Sequence, residues 1–111
     1  MGVTHIVLFQ FKSTASAEAI TDVSRGFLAL KDGCVHPTSQ KPYIKSVSGG
    51  IENSTEGLQN GITHAFVVEF ESVKDRDYYV SNDPAHGKFK ETLGQVLEKA
   101  QVIDFTDGTF T

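Results

Sequence analysis

The stretch ITHAFVVEF, residues 62–70, decides the fold class. In an extended chain its two faces would carry, on one side, His64, Phe66, Val68 and Phe70, and on the other Thr63, Ala65, Val67 and Glu69. An alternation with period two, rich in aromatic and β-branched residues, is typical of a β-strand. We therefore predict a strand from Ile62 to Phe70 whose aromatic face lies against a hydrophobic core.

The first residues of the chain show a second strand pattern, from Val3 to Lys12. One face would carry Val3, His5, Val7, Phe9 and Phe11, and the other Thr4, Ile6, Leu8, Gln10 and Lys12. Large apolar residues stand in the middle of both faces, which is typical of a strand that is buried on two sides. Weaker patterns predict strands at Tyr43–Ser48 and Val102–Phe105. A polar segment from Gly49 to Gly61, rich in turn residues, predicts a long loop between Tyr43–Ser48 and the strand Ile62–Phe70.

The segments between these strands have helical patterns. Ser16 is a suitable N-cap for a helix that begins near Ala17 and stops at Gly33. Its apolar stripe would consist of Ile20, Val23, Phe27 and Leu30. A short helix is predicted from Ser72 to Val80, and Asp83 with Pro84 is typical of another helix start. The apolar stripe of that last helix would consist of Phe89, Leu93, Val96, Leu97 and Ala100.

The predicted order of elements is β-α-β-β-α-β, which is the ferredoxin-like arrangement of an α+β fold. The 111 residues form one domain, 1–111, at this length. Helices cover one face of such a sheet, whereas the two-sided apolar pattern of the first strand requires a cover for the other face as well. A second copy of the chain would supply that cover, so we predict a homodimer that closes into an α/β barrel.

Composition restricts the classes of partner. The net charge of −4 argues against nucleic acid and against an anionic membrane surface, which both favour clustered lysine and arginine. No apolar run approaches the length of about 20 residues that a membrane span needs. Cys34 is the single cysteine, which fits a reducing compartment, and we expect the cytoplasm. No dinucleotide or phosphate-loop motif and no metal-ligand spacing occurs, so neither cofactor nor metal is expected.

Three histidines, His5, His64 and His86, fall on predicted inward faces. His86 stands in the first turn after Pro84, where the helix dipole and burial both favour a neutral imidazole. A neutral imidazole near pH 7 can act as a general base. Tyr78 or Tyr79 could donate a hydrogen bond to a developing oxyanion, and Asp104 could orient an imidazole. An inward histidine is also often only a hydrogen-bonded core residue, so a structural role stays open for each.

Four blocks of sequence, taken together, resemble one family. They are THIVLFQFK at residues 4–12, GITHAFVVEFES at 61–72, DPAHGKF at 83–89 and VIDF at 102–105. They are similar to the stress-responsive A/B barrel domain (Dabb) family, which implies a dimeric α/β barrel around a pocket. The family includes proteins without a settled reaction and a plant polyketide cyclase that closes a linear poly-β-ketone by an aldol step.

The resemblance also implies roles for particular residues. The catalytic histidine of the cyclase corresponds to His86, and its tyrosine to Tyr79 or Tyr78, because the interval to the histidine is one residue longer here. The pocket lining implied in this chain consists of His5, Val7, Phe9, Phe27, Leu28, His64, Phe66, Phe89, Val102 and Asp104. The ligand would be a small hydrophobic or polyketide-like molecule.

Three functions follow from these observations. The first is a polyketide cyclase-like enzyme in which His86 is the general base and a tyrosine holds the oxyanion. The second is a non-catalytic, stress-responsive protein that binds a hydrophobic ligand in the same pocket. The third, which rests only on the resemblance to other dimeric α/β barrels that oxidise aromatic polyketides, is a cofactor-independent oxygenase, and oxygen uptake would separate it from a cyclase.

Overall fold

Two strands, β1 (Val3–Phe11) and β3 (His64–Phe70), occupy the middle of an antiparallel sheet, and β2 (Ile44–Ile51) and β4 (Leu97–Phe105) form its edges. The strand order is β2-β3-β1-β4. The computed structural model describes residues 1–111. This order confirms the predicted ferredoxin-like α+β fold.

The register of the sheet decides which residues share a face. His5 lies between Val68 on β3 and Asp104 on β4, and two residues further along, Val7 lies beside Val102. Every second residue of β1, from Val3 to Phe11, is buried. These residues face the helices, so a row of β1 and β4 side chains forms the floor beneath the helical layer.

Side-chain caps begin the helices, and the sequence predicts two of them, Ser16 and Asp83. In α1 (Ala17–Leu28) the Ser16 hydroxyl accepts from the Ala19 amide at 3.0 Å. The chain turns at Ala29 into the short α2 (Leu30–Gly33), so the predicted single helix is two. In α3 (Val73–Ser81) the Ser72 hydroxyl accepts from the Asp75 amide at 3.1 Å. Helix α4 (Pro84–Lys90) begins at Asp83.

The predicted loop from Gly49 to Gly61 was wrong at its beginning, because β2 continues through Gly49 and Gly50 to Ile51. The reason is packing across the sheet. A Cβ atom on Gly49 would stand 2.2 Å from Cδ2 of Phe66, so glycine is what allows that ring to lie over β2. Glycine weakens a strand on its own, and here the cross-strand aromatic contact outweighs this weakness.

The last helix was predicted too long. Helix α4 ends at Lys90, and Leu97 and Ala100 belong to β4 instead of a helical stripe. The Lys12 amide donates to the Val96 carbonyl at 2.8 Å, and Phe11 pairs with Leu97. Backbone pairing with β1 therefore takes over a segment whose local pattern also suits a helix.

Aromatic rings fill the core between sheet and helices. Phe27 of α1 stacks on Phe66 of β3 with ring centroids 4.2 Å apart and planes 3° apart, and Phe9 packs against both. The opposite face of the sheet has no helix over it, and Ile103 and Phe105 are 50% and 46% exposed there. None of the helices combines the length and the apolar character that crossing a bilayer requires.

Candidate active site

A cavity of about 530 Å³ lies between the helices and the floor formed by β1 and β4. Its apolar wall consists of Val7, Phe9, Phe27, Val80, Phe89, Leu93, Ala100 and Val102. Its polar lining consists of His5, Arg76, Asp77, Tyr79, Ser81, His86, Lys90 and Asp104. The volume is in the range of ligand pockets, which are mostly apolar with a few polar groups that fix orientation.

The hydrogen bonds of His86 determine where its proton sits. Its Nδ1 is 2.7 Å from the backbone carbonyl oxygen of Tyr79. A carbonyl oxygen can only accept, so Nδ1 carries the hydrogen, and the neutral ring keeps its lone pair on Nε2. Nε2 has no partner within the chain and is not enclosed, since Ser24 Oγ is the sole enclosed side-chain polar atom without one. A free ring nitrogen is therefore available at the cavity.

The environment of His86 keeps the imidazole neutral. Burial lowers the pKa of His86, and the positive charge of Lys90 acts in the same direction, while the Tyr79 carbonyl and Asp83 oppose them. The net direction is downward, as the sequence predicts. The ring at neutral pH is thus a base that is ready to accept a proton.

Tyr79 and Tyr78 lie in different surroundings. The Tyr79 ring is 1% exposed and stacks on the His86 ring, with centroids 3.8 Å apart. Tyr79 is one of the residues that line the cavity. Its hydroxyl makes no hydrogen bond within the chain, and burial, with Cys34 and Asp83 acting in the same direction, raises its pKa, so the phenol stays protonated. Tyr78 points away from the cavity. Its ring centroid is 5.7 Å from that of Tyr43 and 6.2 Å from that of His36.

A second imidazole is held by charged groups. His5 Nδ1 donates to Asp104 Oδ1 at 2.6 Å, and the other oxygen of Asp104 accepts from Arg76 Nη1 at 2.7 Å. The sequence predicts His5 and Asp104 as site residues but not Arg76. The available signal was spacing, since Arg76 and Tyr79 are three residues apart on α3 and so share one side of the helix.

Four of the predicted site residues lie outside the cavity lining. His64 lies beside Phe11, with ring centroids 4.9 Å apart, and its Nδ1 is 3.0 Å from the Thr63 hydroxyl. Phe66 lies beneath Phe27 in the core, Leu28 is 43% exposed, and Tyr78 is on the other side of α3. No group of three or more side chains is arranged to hold a metal ion.

Asp83 fixes the start of α4 from inside the protein. This carboxylate is 4% exposed and accepts from the Ala85 and His86 amides at 2.8 and 3.2 Å. The Tyr43 hydroxyl donates to its other oxygen at 2.5 Å. Cys34 is enclosed beside it, and burial together with Asp83 raises the pKa of the thiol to about 12. The backbone of His86 is therefore held by a carboxylate that Tyr43, from a separate segment, holds in turn.

Replacing Asp83 with Ala should reduce the free energy of unfolding by about 3 kcal/mol, because a cap is lost and the Tyr43 hydroxyl loses its buried partner. Urea unfolding would measure this change. Ser16→Ala removes the exposed cap of α1 and is a matched control, with an expected loss of about 1 kcal/mol. Equal losses in the two variants would contradict the buried network.

Known proteins of one family match this chain along most of its length. The Stress Responsive A/B Barrel Domain model matches residues 3–107. The stress-response A/B barrel domain-containing protein HS1 of Arabidopsis thaliana is 32% identical over 103 residues, covering 93% of this chain and 87% of the relative. Olivetolic acid cyclase of Cannabis sativa is 26% identical over 106 residues, covering 96% and 97%.

Among solved structures, the hydroxynitrile lyase from Passiflora edulis superposes with a TM-score of 0.82 at 25% identity, covering 99% of this chain and 97% of the other. The family match therefore extends over nearly the whole chain, and the fold agrees with it. The chain belongs to the stress-responsive A/B barrel domain (Dabb) family.

Proposed function

We propose that the cavity is the active site of a cofactor-free enzyme that uses His86 as a general base. The substrate is a small oxygenated carbon skeleton, and the reaction is an aldol-type ring closure of a poly-β-ketone acid. The observation that carries this proposal is the hydrogen bond from His86 Nδ1 to the Tyr79 carbonyl, which leaves Nε2 unprotonated and free at the cavity.

His86 would transfer the proton in this reaction, and Tyr79 would stabilise the negative charge. His86 Nε2 removes a proton from a carbon between two carbonyl groups, and the enolate attacks a ketone carbon of the same chain to form the new carbon–carbon bond. The Tyr79 hydroxyl donates to the oxygen on which negative charge develops. The imidazolium of His86 then returns its proton to that oxygen, so that no external reductant or oxidant is consumed.

The shape of the cavity and the relatives of the chain both support an enzyme with a largely apolar substrate. Polar groups gather around the two histidines, whereas aromatic and aliphatic side chains such as Phe27, Phe89 and Leu93 form the rest of the wall. An apolar wall can take up a hydrocarbon chain while the polar groups hold its oxygenated end. The names of two relatives, a cyclase and a lyase, also support catalysis on this scaffold.

The uncovered sheet face supports a homodimer. Ile103 and Phe105 lie half-exposed on that face, and Ile6 of β1 lies beside Ile103. A second copy packed there would bury an apolar surface that a single chain leaves in water. Structures of this fold from Bacteroides fragilis and Thermobifida fusca are described as dimeric. We place this dimer in the cytoplasm, since the one cysteine, Cys34, has no disulfide partner.

Product analysis tests the proposal. Linear poly-β-ketone acids would be generated in place by a chain-building synthase, with and without the protein, and products would be identified by mass spectrometry. A cyclised acid that forms only with the protein supports the enzyme. If the products are identical but the acids bind and raise the melting temperature, the protein is a carrier for hydrophobic ligands, as the mainly apolar lining would also allow.

The pH dependence of kcat/KM gives a second prediction. Burial lowers the pKa of His86, and the neutral ring is the active form, so activity should persist as the pH falls through about 6.5 and decline only below it. The acidic limb should move upward in Lys90→Met, because that cation lowers the pKa of His86. A limb above 6.5 in the wild type, unaffected by Lys90, would exclude His86 as the titrating base.

A further inference from the structure

Arg76, Asp104 and His5 form a continuous hydrogen-bonded chain across three elements. Arg76 lies on α3, Asp104 on the edge strand β4, and His5 on the inner strand β1. Each oxygen of Asp104 has one partner, with His5 Nδ1 at 2.6 Å and Arg76 Nη1 at 2.7 Å. All three residues line the cavity.

We propose that Arg76 is a positioning residue that acts through Asp104 to fix His5 as the second working imidazole of the cavity. In this arrangement His5 Nδ1 carries the hydrogen and Nε2 is the nitrogen offered to the substrate. The role of His5 toward substrate rests on the function proposed above, whereas the positioning itself concerns the free protein and stands independently of turnover.

The location of Asp104 explains why a positioning residue is needed. β4 is an edge strand, and helix α3 packs on β1 and β3 and not mainly on β4. The Asp104 side chain is 20% exposed, so water would compete for the oxygen that Arg76 now occupies. With that oxygen solvated, the carboxylate could rotate, and the hydrogen bond to His5 would lose its fixed direction.

The guanidinium of Arg76 is itself held in one orientation. Its Nε donates to Asp77 Oδ1 at 2.7 Å while Nη1 donates to Asp104, so two carboxylates fix two edges of the planar group. Hydrogen bonds to Asp104 and Asp77 raise the pKa of Arg76, and the group stays charged throughout the usable pH range. A lysine would provide a point charge without this fixed fork.

The ring of His5 is already confined by its neighbours. It is 4% exposed, and it lies edge-on to the rings of Phe70 and Tyr79, with centroids 6.1 and 5.8 Å away. Because the position of the ring is fixed by packing, what Asp104 decides is which ring nitrogen holds the hydrogen. That choice determines whether His5 presents a donor or an acceptor to the cavity.

The test is the tautomer of His5, read from two-bond proton–nitrogen correlations in the NMR spectrum of ¹⁵N-histidine-labelled protein. The His5 signals are assigned by their absence in His5→Phe. Wild type should show the Nδ1–H tautomer alone, and Arg76→Met should show a mixture with the Nε2–H form. Arg25→Met changes the only other arginine of the chain, which is exposed on α1, and should match the wild type.

If Arg76 only stabilises the fold, its replacement should affect folding and leave the His5 tautomer unchanged. If Arg76→Met unfolds the protein, Arg76→Gln retains a donor toward Asp104 without the charge and should show the same mixture to a smaller extent. An unchanged His5 tautomer in a folded Arg76 variant would overturn the proposal.

Kinetics then separate this inference from the proposed function. On a substrate that the enzyme cyclises, Arg76→Met should lower kcat about tenfold with KM changed less than twofold, which a loss of packing alone would not produce. If the protein cyclises nothing but the tautomer changes as expected, the positioning holds and the proposed reaction is wrong. If Arg76→Met changes the His5 tautomer but leaves kcat unaffected, His5 is not part of the reaction. Its proposed role as the second working imidazole is then wrong.

Discussion

A His86→Ala variant is expected to lose about a thousandfold in kcat for the ring-closing reaction, within the range that a general base contributes. The loss follows from the removal of Nε2, the one ring nitrogen of His86 that has no partner inside the protein. The fold should remain, because the Asp83 cap is made to the backbone of residue 86 and is independent of its side chain. Single-turnover product analysis would measure the rate.

The matched control for His86 is His36→Ala. His36 lies outside the cavity, where its Nδ1 accepts from the Thr38 amide at 3.1 Å. The His36→Ala variant should keep kcat within twofold of the wild type. A His86→Ala protein that turns over at the wild-type rate would remove the proposed mechanism, whatever the product.

Tyr79→Phe is expected to lower kcat about a hundredfold, the usual effect of removing one donor to a developing oxyanion. Phenylalanine keeps the ring that stacks 3.8 Å from His86, so the position of the base is preserved and only the hydroxyl is lost. Since that hydroxyl has no hydrogen-bond partner within the chain, its removal should not lower stability. Kinetics and thermal unfolding of the same sample would measure both quantities.

The neighbouring tyrosine provides the control. Tyr78→Phe removes a hydroxyl on the other side of α3, among His36 and Tyr43, and should leave kcat unchanged. The opposite result, with Tyr78→Phe inactive and Tyr79→Phe active, would mean that the substrate does not occupy the cavity beside His86.

The fold could be predicted from the sequence because the period-two alternation of the strands and the caps of the helices agree with the observed structure. The period-two pattern of residues 62–70, the Ser16 cap and the Asp83-Pro84 helix start all act through local geometry. The errors occurred where distant pairing overrides local preference. Gly49 is in a strand because of the Phe66 ring, and Leu97 is in a strand because of its pairing with Phe11.

Local patterns likewise limit the prediction of the site. The inward parity of His5 and the helix-start position of His86 indicate that both side chains face the cavity, and the structure places them there. Spacing alone could not choose between Tyr78 and Tyr79, since adjacent residues on a helix differ by only about 100° in direction. Arg76 was missed because its partner Asp104 is 28 residues away and meets it only after β4 joins the sheet.

The division of the cavity wall between elements has an evolutionary consequence. His86 is carried by α4, whose start is fixed by the buried Asp83, and the Tyr79 ring is itself buried. Ala100 and Val102 instead line the cavity from β4, an edge strand with no neighbour on one side. Val102 is 56% exposed, so a change in its size requires no rearrangement of the core. Substitutions on β4 would therefore change the shape of the cavity over evolutionary time while His86 and Tyr79 kept their positions.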